Sequence, residues 1–313
     1  MPPVEPTLAA LANPLLRYFL ATRPAFLSVT LFAALLGLAG AYHSGMSVAP
    51  LSATATVIFA VLAHAGINVL NDYYDELNGT DRNNTERIYP YTGGSRFIQN
   101  GVLTLRETAA FGVLLVLTVI VGGLWLTTIS GPGVLIIGAL GMFTGWAYSA
   151  PPLKLNSRGA GEAGVAIGFA LIVIGADYVQ RRGFSTLPVI ASACYALLVT
   201  NILYINQFPD LKADKLAGKR HWVVRLGLRR ARWGYVVIAG AGYAWLLGAV
   251  VVGALPLLAL IALLPVVLSC KAGKVLLEHA ARPPQLEPAI RMTIAGASAH
   301  GMLLAAAMVT SAG

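Results

Sequence analysis

Charge is scarce in this chain: Asp, Glu, Lys and Arg make up 11% of its 313 residues, where soluble globular proteins carry about 25%. That deficit excludes an ordinary soluble domain and a disordered segment alike. Acidic residues are the scarcest class, 13 against 22 Lys and Arg. Cysteine is nearly absent. Cys194 and Cys270 both lie in apolar runs without metal-ligand spacing, which excludes a disulfide framework and a thiolate metal centre and leaves both as packing residues. The apolar runs also lack period-2 alternation, which excludes a membrane β-barrel. Glu5 and Asn13 interrupt the N-terminal region, so a cleavable leader is not expected and the first long apolar run reads as a retained span. Neither a soluble domain nor a low-complexity linker is apparent.

What is present is apolar length. Hydrophobic residues make up 57% of the chain, and a helix needs about 20 of them in succession to cross the hydrocarbon. Nine candidate spans lie near 24–42, 51–70, 108–128, 133–149, 163–181, 187–207, 233–252, 255–270 and 290–310. The eighth is short and carries Pro256 and Pro265. These runs predict an all-α membrane protein, one integral-membrane domain over residues 1–313.

The basic residues set the orientation. With nine spans, every Lys and Arg except Arg181 and Arg182 falls on one side, which predicts a cytoplasmic N-terminus. The net charge of +9 follows from this same topology signal, so nucleic-acid binding is not expected. Connections on the other side are short, whereas long polar loops are expected over 71–106 and 208–232. Loops of that length tend to be functional.

Each of those segments begins with an acidic cluster. Asn68, Asp72 and Asp75, with Asp81 beyond them, follow the second span, and Asn206, Asp210 and Asp214 follow the sixth. Spacings of i, i+4 and i+7 or i+8 put each set on one helix face. The shared spacing suggests an internal repeat with acidic motifs at 68–81 and 206–220. Pro209, just before Asp210, is expected to kink its helix and aim the second cluster inward. Carboxylates at the edge of a bilayer are costly and imply a purpose. Converging on one pocket, they would repel unless cations sat among them. Mg²⁺ suits this chemistry, since it is held by one or two carboxylates together with phosphate oxygens. Two clusters would hold two ions bridging a diphosphate, with Lys154, Lys215, Lys219 and Arg220 neutralising its remaining charge. A diphosphate with a hydrophobic tail fits such a site, and loss of that diphosphate from an allylic tail is prenyl-transfer chemistry. The competing class is a transporter of an anionic metabolite or divalent ion. Its site would lie near the bilayer midplane, whereas these acids lie at helix ends.

Along almost its whole length the chain resembles the UbiA superfamily of intramembrane aromatic prenyltransferases. The resemblance is carried by Arg23-Pro24, Asn71-Asp72-Tyr-Tyr-Asp75, Tyr148-Ser-Ala-Pro-Pro-Leu-Lys154, the run from Asp210 through Asp214 to Lys219-Arg220, and Val224-Arg225-Leu226-Gly227. It implies nine transmembrane helices around a central cavity open to lipid, and Mg²⁺-dependent transfer of a polyprenyl group from polyprenyl diphosphate to an aromatic acceptor. It further implies that Asn68, Asp72 and Asp75 serve one Mg²⁺ site and Asp210 and Asp214 the other. Arg23, Lys154 and Lys215 would face the diphosphate, and Tyr148 would line the reaction path in a cavity shared with Asn71 and Asn206. One departure stands out: a common family pattern has a third aspartate at the position of Gly79, and here the acid comes at Asp81. The run Asp75 to Asp81 and the stretch Glu162 to Gln180 look like the branch that prenylates 1,4-dihydroxy-2-naphthoate for menaquinone. Other acceptors used in the superfamily are 4-hydroxybenzoate, homogentisate, porphyrins and glycerol-phosphate lipids. The menaquinone reading implies a prokaryotic inner membrane.

Three further features carry two readings each. Asp177, inside the fifth span, has Arg181 at i+4 and reads as a helix-face ion pair as readily as a site residue. His64, one turn before Asn68, is either a proton acceptor for an aromatic hydroxyl or a hydrogen-bonded buried polar residue. Tyr91 to Arg96, with Gly93 and Gly94, reads as a mobile cap over the diphosphate or as an ordinary glycine-rich loop.

Overall fold

The structure is a computed structural model that describes residues 4–312. Among these residues every regular element is helical. In chain order they are α1 (Pro14–Ala21), α2 (Leu27–His43), α3 (Pro50–Leu77), α4 (Leu105–Ser130), α5 (Gly133–Ser149), α6 (Leu155–Arg158), α7 (Gly161–Arg181), α8 (Thr186–Leu216), α9 (Trp222–Val251), α10 (Val266–His279) and α11 (Glu287–Thr310). Eight helical stretches are long and apolar enough to cross a membrane, and α5, with 17 residues, is a ninth apolar helix. At 1.5 Å per residue it is about 25 Å long, close to the thickness of the hydrocarbon. The protein is an integral membrane protein of all-helical architecture.

Local signals explain where the helices begin and break. A capping box opens α4: the Thr104 hydroxyl accepts from the Glu107 N–H at 3.1 Å, and the Glu107 carboxylate accepts from the Thr104 N–H at 2.8 Å, which satisfies two otherwise orphaned donors. The eighth span is broken where its prolines fall. A 3₁₀ turn over Leu257–Leu263 follows Pro256, and α10 starts after Pro265. By contrast α8 continues through Pro209 to Leu216.

That continuity corrects the expected loops. The long connection over 208–232 is largely helical: its first part is the end of α8, a turn over 217–221 follows, and a short helical piece from Trp222 leads into the body of α9 across a break at Gly227 (φ +70°, ψ 158°). The first loop likewise shortens to 78–104. Hydropathy marks where a helix leaves lipid, not where its backbone hydrogen bonds stop, and α8 extends past its apolar run to Leu216.

α2 packs against α7, α11, α3 and α8, α8 is the most buried of the spans, and α3 pairs with α4. Small residues permit these approaches: Ala33 and Ala34 on α2 are fully buried, and a Cβ on Gly37 would stand 2.2 Å from the Val173 carbonyl oxygen of α7. Without a hydrophobic drive between helices in lipid, such close backbone contact supplies much of the association. Gly37→Val is therefore expected to force α2 from α7 and to destabilise the protein by about 1–3 kcal/mol or more. Thermal unfolding in detergent measures this, and an unchanged midpoint would contradict the packing. Buried hydroxyls and amides add interhelical bonds: Tyr195 Oη donates to Val29 O at 2.5 Å, Tyr204 Oη to Ala231 O at 2.7 Å, and Asn201 Nδ2 to Tyr235 O at 3.0 Å. Asp177 takes the helix-face reading. Arg181 Nε meets it at 2.8 Å and Arg181 Nη2 also reaches Ser44 Oγ at 2.9 Å.

Candidate active site

The last turns of α3 and α8 bring the two acidic clusters together, and a lysine joins them. Lys219 Nζ lies 3.1 Å from Asp75 Oδ1 and 3.1 Å from Asp214 Oδ1. All three residues are buried. The end of α8 explains how the lysine gets there. Gly218, at φ +76°, ends the helix in the left-handed region, with Lys219 N–H bonded to Asp214 O at 2.9 Å and Gly218 N–H to Lys215 O at 3.2 Å. This Schellman pairing turns the chain back over the helix end, and the lysine side chain returns onto Asp214. Burial alone would lower the Lys219 pKa, but Asp214, Asp75 and Asp81 hold it above the ordinary lysine value. The ammonium is thus a resident cation between the clusters. His221 completes the arrangement, its Nε2 3.0 Å from Asp214 Oδ2.

Asp72 and Asp81 form a second pair. Asp72 Oδ2 accepts from the Ser95 N–H at 3.1 Å, and Arg23 Nη1 stands 3.8 Å from Oδ1. Asp81 is 3% exposed, and burial with the charges of Asp75 and Asp72 pushes its pKa well above the usual carboxylate range. Gly94 brings these carboxylates together. A Cβ there would stand 2.2 Å from Asp81 Oδ2 and 3.3 Å from Asp72 Oδ1, and the residue sits at φ +73°, so neither the space nor the backbone accepts a side chain. The segment 92–97 is buried and packs over the acids, in the place read from sequence as a cap. Asn71 Nδ2 spans Asp75 Oδ2 at 3.2 Å and Ser149 Oγ at 2.8 Å, and Asn84 Nδ2 donates to Asp210 Oδ1 at 2.5 Å.

A cavity of about 610 Å³ adjoins this polar end. Arg23, Asn68, Asn71, Tyr148 and Asn206 line its mouth, and mostly apolar residues of α2, α3, α4, α5, α7 and α8 line the rest. Arg23 Nη2 and Asn206 Nδ2 both donate to Tyr91 O, at 3.1 and 3.4 Å, and Asn68 Nδ2 donates to Thr22 O at 3.0 Å. Of the other basic residues expected at a diphosphate, Lys215 and Arg220 are exposed and Lys154 is half-buried at the start of α6. None of these three makes an ion pair among the described residues. Sequence reasoning missed Asn84 and His221, and it reached Ser95 and Ser149 only as members of the segments 91–96 and 148–154, without their contacts to Asp72 and Asn71. The contacts of Ser95, Asn84 and Ser149 join distant segments, and that of His221 depends on the turn after α8, so no spacing signals them.

The oxygens fit a hard divalent cation in one respect and not in another. Among the described residues no group of three or more His, Cys, Asp or Glu is set to hold a metal, and Lys219 already engages Asp75 and Asp214. Asp72 Oδ1 and Asp81 Oδ2, however, are buried without a hydrogen-bond partner and converge on Gly94. Such oxygens call for a cation, and Mg²⁺ bound with a diphosphate needs only one or two of them.

The UbiA prenyltransferase family matches residues 26–295. The 1,4-dihydroxy-2-naphthoate octaprenyltransferase of Escherichia coli is 30% identical over 217 residues, 67% of this chain and 68% of that protein. The protein of the same name from Mycobacterium tuberculosis is 29% identical over 188 residues, 58% of this chain and 61% of that one. The matched segments thus span about three-fifths to two-thirds of these relatives. In fold, the chain is similar to a UbiA homolog from Archaeoglobus fulgidus bound to DMAPP and Mg²⁺, with a TM-score of 0.61 at 13% identity, covering 92% of this chain and 99% of that one.

Proposed function

The chain belongs to the UbiA prenyltransferase family, and from that premise we propose that it transfers a polyprenyl group from polyprenyl diphosphate to 1,4-dihydroxy-2-naphthoate, as in menaquinone biosynthesis, in an Mg²⁺-dependent reaction. The observation that carries this reading is the junction of a buried acid-and-base cluster with a long apolar cavity of about 610 Å³. One end suits a diphosphate with its metal and the other a prenyl tail. The acceptor is supported by the names of the relatives and by the run from Asp75 to Asp81.

Asp72 and Asp81 are the first candidates to hold Mg²⁺, with Asn68 at the cavity mouth beside them. Asp210 offers an oxygen on the opposite helix, and Asp75 and Asp214 join the set where diphosphate draws Lys219 away. The metal, when bound, would neutralise the diphosphate as a leaving group. Arg23 and Lys219 would hold the phosphate oxygens by charge-assisted hydrogen bonds. Tyr148, Asn71 and Asn206 would flank the allylic carbon. The C–O bond breaks with its electron pair going to the diphosphate, the ring carbon bonds to the allylic carbon, and the ring regains aromaticity by losing a proton or carbon dioxide from the attacked position. The apolar walls would keep water from the allylic centre.

The whole chain would act as one domain, with α3 and α8 as the corresponding helices of an internal repeat whose acidic motifs lie at 68–81 and 206–220. The bias of Lys and Arg to one side supports a prokaryotic inner-membrane location with this end in the cytoplasm. The test is product analysis on purified protein supplied with geranylgeranyl diphosphate, Mg²⁺ and a panel of aromatic acceptors. A prenylated naphthalene product, lost on chelation, is expected. Product with only another acceptor would discard the naphthoate assignment, and diphosphate release with none would discard aromatic prenyl transfer.

A further inference from the structure

Beyond its mouth the cavity is lined almost wholly by carbon. Among its described lining residues, the polar ones outside the mouth are Thr56, Thr144 and His64. The two threonine hydroxyls are spent on their own helices, Thr56 Oγ1 donating to Ser52 O at 2.7 Å and Thr144 Oγ1 to Leu140 O at 2.7 Å. His64 differs. Its Nδ1 meets Thr30 Oγ1 of α2 at 2.6 Å, and Thr30 is fully buried. With Nδ1 fixed from one side, Nε2 on the far side of the ring has no protein partner among the described residues. Phe169 packs against the imidazole in a T-shaped pair, with centroids 5.6 Å apart and planes at 86°, and it too lines the cavity. The ring is therefore held at two points and presents one free polar atom to an apolar space.

His64 precedes Asn68 by four residues and Asp72 by eight, which on a helix is about 6 and 12 Å along the axis. A group bonded to His64 thus lies past the diphosphate end, beside the first carbons of a tail whose diphosphate sits near Asp72. We propose that His64, oriented by Thr30, hydrogen-bonds a ring hydroxyl of the aromatic acceptor, with Phe169 packing against the acceptor ring. The inference rests on the aromatic-acceptor reading above and adds the place where that acceptor binds. A hydroxyl is the matching group for a reason of chemistry: it both donates and accepts, so it pairs with Nε2 whichever neutral tautomer the Thr30 contact selects. An acceptor without it would leave Nε2 buried and unpaired, which costs affinity.

The experiment compares wild-type protein with Thr30→Val and His64→Leu, using 1,4-dihydroxy-2-naphthoate as acceptor. Its two deoxy analogues, 1-hydroxy-2-naphthoate and 4-hydroxy-2-naphthoate, serve as competitive inhibitors. His64→Leu is expected to raise the acceptor KM by roughly 10–100-fold, the range for a lost buried hydrogen bond, and Thr30→Val to raise it by a smaller factor. The KM for prenyl diphosphate is expected to stay the same in both. One deoxy analogue should bind wild type less well than the parent by a similar factor, and that difference should vanish in His64→Leu, the coupling a double-mutant cycle detects. A merely structural histidine would not produce that coupling. An unchanged acceptor KM in a folded variant, or a deoxy penalty that persists in full in His64→Leu, would overturn the inference while leaving prenyl transfer standing. Should His64→Leu fail to fold, the same comparison in Thr30→Val decides. Wild-type protein that releases diphosphate but prenylates no phenolic acceptor would overturn this inference and the proposed function together.

Discussion

Lys219→Met is expected to destabilise the metal-free protein by about 3–5 kcal/mol, the usual cost of removing one partner from a buried ion pair. The ammonium contacts Asp75 and Asp214 at 3.1 Å each, and Asp75, Asp214 and Asp81 are all less than a tenth exposed. Methionine preserves most of the volume and removes only the charge, leaving carboxylates from α3 and α8 to face each other. Two helices far apart in sequence would then repel at the place where they now meet. Added Mg²⁺ should recover more stability in the variant than in wild type, because a ligand that binds only the folded state stabilises it. Melting of the detergent-solubilised proteins, with and without Mg²⁺, is the measurement. A variant that melts with wild type in the absence of metal would show that the lysine is not the resident counter-ion.

Asp72→Asn is expected to have the opposite balance. Turnover should fall by roughly 10²–10³-fold, the scale on which one preorganised electrostatic group acts, while the metal-free protein should be as stable as wild type or more so. Asn keeps the volume and still accepts from the Ser95 N–H, now 3.1 Å from Asp72 Oδ2. It removes a charge that is 3% exposed, has one oxygen without a hydrogen-bond partner and meets its counter-ion only at 3.8 Å, and a poorly compensated buried charge is a stability cost retained for function. Arg23, 3.8 Å away, loses a distant partner but keeps its bond to Tyr91 O. Asp210→Asn should lose activity in the same way. Near-normal Mg²⁺-dependent turnover in either folded variant would remove these carboxylates from the proposed metal site.

The two variants part because the acids are of two kinds. Asp75 and Asp214 are neutralised within the protein, whereas Asp72 and Asp81 have oxygens without a partner. Nothing in the spacing of the aspartates distinguishes them. Asp81 looked like a departure from the family pattern, displaced two residues from Gly79. In three dimensions the loop over 78–104 folds back so that Gly94 brings Asp81 to Asp72.

By itself the sequence determined the membrane class, the positions of the apolar spans, and the helix faces that carry Asn68, Asp72, Asp75, Asp210 and Asp214. Each of these is a local property: apolar length fixes what can cross a bilayer, and a period of 3.6 residues fixes which side chains share a face. Only the tertiary structure decided that α8 runs on to Leu216, that Lys219 closes the gap between the clusters, that Gly94 pairs Asp72 with Asp81, and that Thr30 holds His64 at the cavity wall. The continuation of α8 is local but lies beyond the apolar run that marks its span, whereas the Lys219–Asp75, Gly94–Asp72 and Thr30–His64 contacts join segments tens to more than a hundred residues apart, and their geometry depends on how the helices pack and how one turn and one loop fold over them.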